Sequence, residues 1–118
     1  MTLRFDVAQR HPYLVVRIAG LAFLAHAERL LQQVAREASD AGSSLLMMDL
    51  LNVLGALAPQ DHSELGHLLA AHFRGLRRVA AVIPSGKVLL VSESAAADRG
   101  LDLKLCASRA EAHGWLLS

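Results

Sequence analysis

The chain has 118 residues, 53% of them apolar and 19% charged, with one cysteine. Twelve Lys and Arg stand against eleven Asp and Glu, a formal net charge of +1, so charge gives no reason to expect nucleic acid or an anionic membrane as partner. Cys106 alone excludes an intrachain disulfide and fits a reducing compartment.

The length suits one domain over residues 1–118. The start, MTLRFDVAQRH, has no apolar core of a signal peptide, and the expected location is the cytoplasm. Leu3, Phe5 and Val7 alternate with Arg4 and Asp6, which predicts a half-buried strand over Leu3 to Val7. Gln9-Arg10-His11-Pro12 makes a turn into a second, β-branched strand from Tyr13 to Ile18, and the short connection predicts a hairpin. Gly20 is expected to break that strand. From Leu21 to about Ser39 the period changes: Leu24, Leu31, Val34 and Ala38 share a face, while Glu28, Arg29, Gln32, Gln33, Arg36 and Glu37 take the others. This predicts an amphipathic helix with Gly42 as its C-terminal cap.

The run LLMMDLLNVLGALAP, Leu45 to Pro59, is too short and too interrupted to span a bilayer, which needs about 20 apolar residues. It predicts a buried central strand from Leu45 to about Leu50, ending near Asp49 and opening into a loop. Pro59 fits the first turn of the next helix, with Asp61 and Glu64 favouring its dipole. Leu65, Leu68, Leu69 and Phe73 form the helix's buried stripe. Arg74, Arg77 and Arg78 are expected to complement the dipole at its end on a solvated face. Val79 to Ile83 predicts a fourth strand, closed by Pro84-Ser85-Gly86. A helix is expected within Lys87 to Asp98, although Val88 to Val91 also reads as strand. Leu103 to Leu105 predicts a last strand. Ser108-Arg109-Ala110-Glu111 is a capping box that opens a final helix ending at Trp115-Leu116-Leu117. The order β-β-α-β-α-β-α-β-α predicts a largely parallel α/β sheet whose first strand pairs antiparallel with the second.

Motifs for chemistry are sparse. His62, His67 and His72 are five apart, so each is turned about 140° from the last and they share no helix face; no metal site is expected. Ser85-Gly86-Lys87 lacks the glycine and hydroxyl of a phosphate loop, since position 81 is Ala and position 88 is Val. Cys106 reads as a buried thiol. Asp49 and Asn52 read either as turn formers at the strand end or as a polar lip on a binding surface. Trp115 reads as a packing anchor. No acid, base and nucleophile assemble, so no enzyme and no cofactor is expected.

The element order, LLMMDLLNVLG with Asp49-Leu50 closing the third strand, RRVAAVIP at the fourth, and Glu111-Ala112-His113-Gly114-Trp115-Leu116 after a short strand resemble the STAS superfamily. The likeness is closer to its SpoIIAA-like, anti-anti-sigma-factor branch of small bacterial proteins. The resemblance implies a β-α superhelix of four or five mostly parallel strands with an antiparallel N-terminal strand and about four helices. It also implies a binding or regulatory role without catalysis. Sigma-regulating members carry a switch serine in an Asp-Ser-Ser-Gly-like motif at the start of the helix after strand three, whose phosphorylation alters charge and fit. Here that segment reads Gly55-Ala56-Leu57-Ala58-Pro59, with neither the hydroxyl nor the preceding Asp. Ser63 lies one turn further on, and the switch is expected to be absent.

The candidate binding residues are therefore Asp49, Asn52, Gly55, Asp61 and Ser63. They would serve a protein partner or self-association, for which the apolar surplus leaves surface. The alternative is a carrier or sensor of a small apolar, lipid-like ligand, a layout the SpoIIAA-like branch shares with SEC14-type folds.

Overall fold

The structure is a computed structural model that describes residues 3–21, 23–55, 57–84 and 91–118. The elements follow in the expected order: β1 (Arg4–Gln9), β2 (Leu14–Leu21), α1 (Leu24–Ala41), β3 (Leu45–Leu54), α2 (Pro59–His72), β4 (Arg78–Val82), α3 (Val91–Asp98), β5 (Leu103–Cys106) and α4 (Arg109–Leu116). The described strands form one five-stranded sheet in chain order, β1-β2-β3-β4-β5. β1 pairs antiparallel with β2, and every later pair is parallel. This is the α/β class and strand arrangement that the alternation predicts.

Period-two alternation divides the sheet into two unequal faces. On one, Leu14, Val16 and Ile18 of β2 and Leu46 and Met48 of β3 pack with Leu30, Leu31 and Val34 of α1 and Leu69 and Phe73 of α2. Leu3, Phe5 and Val7 lean against this cluster from the edge. On the other, Tyr13, Val15, Leu45, Met47, Ala80, Val82 and Cys106 meet Ala112 and Leu116 of α4, with Trp115 against them. The crossover helices α1 and α2 thus cover the first face, and the eight-residue α4 serves the second.

Local chemistry sets the ends of the elements. Gly42 caps α1 in the left-handed conformation, its N–H bonding to the Ser39 carbonyl at 3.1 Å. The Ser43 hydroxyl then donates to the Leu45 carbonyl at 2.6 Å and accepts from the Leu14 N–H at 3.3 Å, joining the starts of β2 and β3. Pro59 opens α2, and Asp61 lies in its first turn. Glu64 falls beyond that turn, so the expected dipole role is left to Asp61. In α4 the Ser108 hydroxyl accepts from the Glu111 N–H at 3.1 Å, and the Glu111 carboxylate accepts from the Ala107 N–H at 2.9 Å. The box therefore closes one residue earlier than the usual form.

Four expectations are corrected. Gly20 does not end β2: it lies inside the strand at φ 123°, paired with Val53, a backbone that only glycine adopts easily. The helix α1 accordingly starts at Leu24, later than Leu21. Strand β3 does not end near Asp49 but runs on to Leu54. Finally, Arg78 does not complement α2: it is the first residue of β4, and α2 has ended at His72. The Ser85-Gly86-Lys87 motif, and the question of strand or helix over residues 88–90, lie outside the described residues.

Candidate functional site

The extension of β3 reshapes the expected site. Arg17 of β2 pairs with Asp49, and Ala19 with Asn52. Ile18 therefore faces both Leu50 and Leu51, and β3 carries one extra residue, a bulge. At this bulge the Leu51 N–H has a side-chain partner, the Asp49 carboxylate, which accepts from it at 3.0 Å. The other carboxylate oxygen lies 3.5 Å from Nε of Arg109, in the first turn of α4. Asp49 is 8% exposed, the one buried charged side chain among the described residues. It does form a local turn-like bond, as the sequence suggests, but within a strand and not at a strand end.

Pairing between β3 and β4 stops at Asp49 and Val82. Beyond it, described pairing of β3 continues to β2 alone, through Asn52, Val53 and Leu54. Asn52 is exposed in this extension and is not in a turn. Gly55 follows at φ 80°, which turns the chain where a side-chain-bearing residue would be strained. Asp61 and Ser63 are half-buried on α2. The five candidate residues thus divide. Asp49 is tied to α4 on the second face, whereas α2, with Asp61 and Ser63, packs over the first. Asn52 and Gly55 lie at the sheet end between them.

That sheet end is apolar. Phe23 is 52% exposed, Leu51 45% and Leu54 55%, and they make up three of the four large exposed apolar side chains among the described residues. Leu54 pairs with Leu21, and Phe23 follows two residues after Leu21, so β2 and β3 deliver these side chains to one end.

Beside α4 an open groove of about 470 Å³ runs over β1 and β2, lined by Gln9, Tyr13, Arg17, Met47, Arg109 and His113 among others. The Tyr13 hydroxyl and Nδ1 of His113 lie 2.5 Å apart. Burial pushes the Tyr13 phenol above its ordinary pKa, partly opposed by Arg109. Burial likewise raises the Cys106 thiol, with Glu111 and Glu93 adding to the effect and Lys104 opposing it. Both shifts favour the neutral, unreactive forms.

Several interactions escape the sequence reading. The Arg78 guanidinium donates to the carbonyls of Trp115 and Ser118 at 2.7 and 3.0 Å and stands 5.3 Å over the indole ring. It complements a helix end, as expected of it, but that of α4. Glu93 of α3 accepts from the Leu105 N–H at 2.9 Å and so occupies a donor of β5. Such contacts join residues far apart in sequence, and no local spacing marks them. Among the described residues, no three His, Cys, Asp or Glu side chains gather to hold a metal ion, and no helix is long and apolar enough to cross a membrane.

No protein-family profile matches the chain, and no curated protein sequence does. Solved structures do. An anti-sigma factor antagonist from Mycobacterium paratuberculosis superposes with a TM-score of 0.63 at 17% identity, covering 99% of this chain and 96% of that one. An uncharacterised protein of the DUF3478 family with a SpoIIAA-like fold, from Shewanella loihica PV-4, gives 0.58 at 18% identity, with 98% and 93% covered. At these identities the likeness shows the fold alone: this chain has a SpoIIAA-like fold.

Proposed function

We propose that the protein is a non-enzymatic, cytoplasmic binding module of STAS type that docks a protein partner on the sheet end formed by β2, β3 and the start of α2. The observation that carries this reading is the concentration of Phe23, Leu51 and Leu54 at that end. Leu51 and Leu54, three residues apart in β3, point to opposite faces, so exposed apolar side chains flank both sides of the sheet end and favour a partner that wraps it. Asn52, Gly55, Asp61 and Ser63 supply its polar margin, while Asp49 holds the bulge that presents Leu51. The structural likeness to a protein described as an anti-sigma factor antagonist favours an anti-sigma factor as the partner class.

The phosphoserine switch is absent in this proposal. Gly55 to Pro59 offers no hydroxyl, and Ser63 lies within α2 and not at its start. Stoichiometric, kinase-dependent phosphate on Ser63 would overturn that part.

Titration calorimetry against the anti-sigma factors of the source organism tests the docking surface. Saturable binding weakened at least about tenfold by Leu51→Asp with Leu54→Asp, the fold being intact, is the expected result. Binding unaffected by the pair of changes would sink it. The competing reading, a carrier of an apolar ligand, predicts instead a co-purified apolar mass in native mass spectrometry.

A further inference from the structure

The two edges of the sheet are treated differently. At β5 the outward Leu105 N–H is taken by Glu93, a device that blunts an edge against pairing. Along β1, the other edge, no side chain among the described residues accepts from or donates to the backbone of residues 3–7. Edge strands are normally blunted by charged side chains, a proline or a bulge, and the irregularity of β1 comes only after Val7, leaving residues 3–7 regular. This one carries Leu3-Arg4-Phe5-Asp6-Val7, a sequence with its own complement built in.

An antiparallel pair of such strands about a two-fold axis through Phe5 sets Arg4 of each copy opposite Asp6 of the other. Leu3 then lies opposite Val7, and Phe5 opposite Phe5. The charges fall on one face and the apolar side chains on the other, as the pleat requires. The structure leaves the partners available. Arg4 makes no ion pair among the described residues. Among the described residues, Asp6 uses only Oδ2, toward Arg17 at 2.7 Å, and its Oδ1 is unengaged. Leu3, Phe5 and Val7 are only half-buried against the core, so a second copy would cover what remains of them.

We infer that the protein self-associates as a two-fold dimer through β1, joining two five-stranded sheets into one of ten strands. A two-fold interface must be self-complementary, and charge complementarity within a five-residue edge meets that condition. The Arg4 end of β1 lines up through Ala19 with Asn52 of the proposed docking end, and the two readings are told apart because self-association is measured on the protein alone, with no anti-sigma factor present.

Sedimentation equilibrium from micromolar to near-millimolar concentration tests it with three variants. Wild type is expected to dimerise. Arg4→Asp or Asp6→Arg alone puts like charges opposite each other twice per dimer, and each is expected to weaken association about tenfold or more. The double swap, Arg4→Asp with Asp6→Arg, restores both cross-strand pairs and is expected to recover most of the affinity, although it breaks the Asp6–Arg17 pair. Circular dichroism checks that each variant is folded. A wild type that stays monomeric throughout overturns the inference. So does a dimer indifferent to the single reversals, or one that the double swap fails to rescue. Amide exchange gives a second reading: β1 amides are expected to gain protection with concentration, and protection that does not change would count against the dimer.

Discussion

Asp49 shows how one side chain can hold a strand irregularity. It is buried, and its Oδ1 accepts from the Leu51 N–H at the bulge. Its ion pair with Arg109 contributes less, because the Arg109 side chain is half exposed and solvent screens such pairs. Asp49→Ala is therefore expected to cost about 1–3 kcal/mol through the lost bond between its charged carboxylate and the Leu51 N–H. Arg109→Ala is expected to cost under about 1 kcal/mol. Urea midpoints of the two variants compare them directly; equal losses would assign the effect to the ion pair. Cys106 gives a pH dependence. Its folded-state pKa is raised, mainly by burial. Its stabilising contribution is therefore complete below the unfolded thiol's value of about 8.5 and is lost as pH rises through the folded value. Tyr13, also raised by burial, extends the loss to higher pH. Thermal melts from neutral to alkaline pH should fall more steeply for wild type than for Cys106→Ala, and parallel slopes would contradict the assignment.

Among the elements, α4 is tied down at both ends by groups it does not share with its neighbours in sequence. Ser108 caps its start, and Ser108→Ala is expected to cost about 1 kcal/mol in denaturant unfolding. Arg78 grips its end through two carbonyls and the face of the indole. Because Trp115 is the one tryptophan of the chain, its emission reports this contact. Arg78→Ala is expected to shift it to the red, and Arg78→Lys to recover only part, since an ammonium cannot bond both carbonyls and stack as a planar fork does. Unchanged emission in Arg78→Ala would show that packing alone holds the helix.

The capping box was legible in sequence because its partners are three residues apart, whereas the Arg78 clasp joins elements that only the fold brings together. Strand β3 was half legible for a related reason. Its first four residues, Leu45 to Met48, are a plain apolar run. The bulge at Leu50 and Leu51 then interrupts the alternation, and it is defined only by the pairing with Ile18 across the sheet. Gly20 misled because glycine marks breaks more often than strand positions with positive φ. Of the candidate residues, Gly55 follows β3 and Asp61 lies in the first turn of α2, where a loop and a helix start were expected, whereas Asn52 lies inside the strand and Asp49 answers to Arg109 far along the chain.

At the scale of the molecule, the two faces differ in how they are sealed. The larger cluster centres on side chains such as Phe73, 1% exposed, packed among residues of β2, β3 and α1. Phe73→Ala is expected to cost about 3–5 kcal/mol, measured by chemical unfolding, and a loss under about 1 kcal/mol would mean the site collapses to fill the void. The strand order carries a consequence for synthesis. Each new strand pairs with the one made just before it, so no slot must be held open for a segment still to come. The sheet can grow sideways, strand by strand, as the chain leaves the ribosome, with the N-terminal part folding first. Its first face gains α1 and α2 as it grows, but Tyr13, Val15, Met47, Ala80 and Val82 must wait for α4, which is made after all five strands. A released chain that ends just short of Ser108 would thus present the five strands with one apolar face bare, the species on which a chaperone has most reason to act.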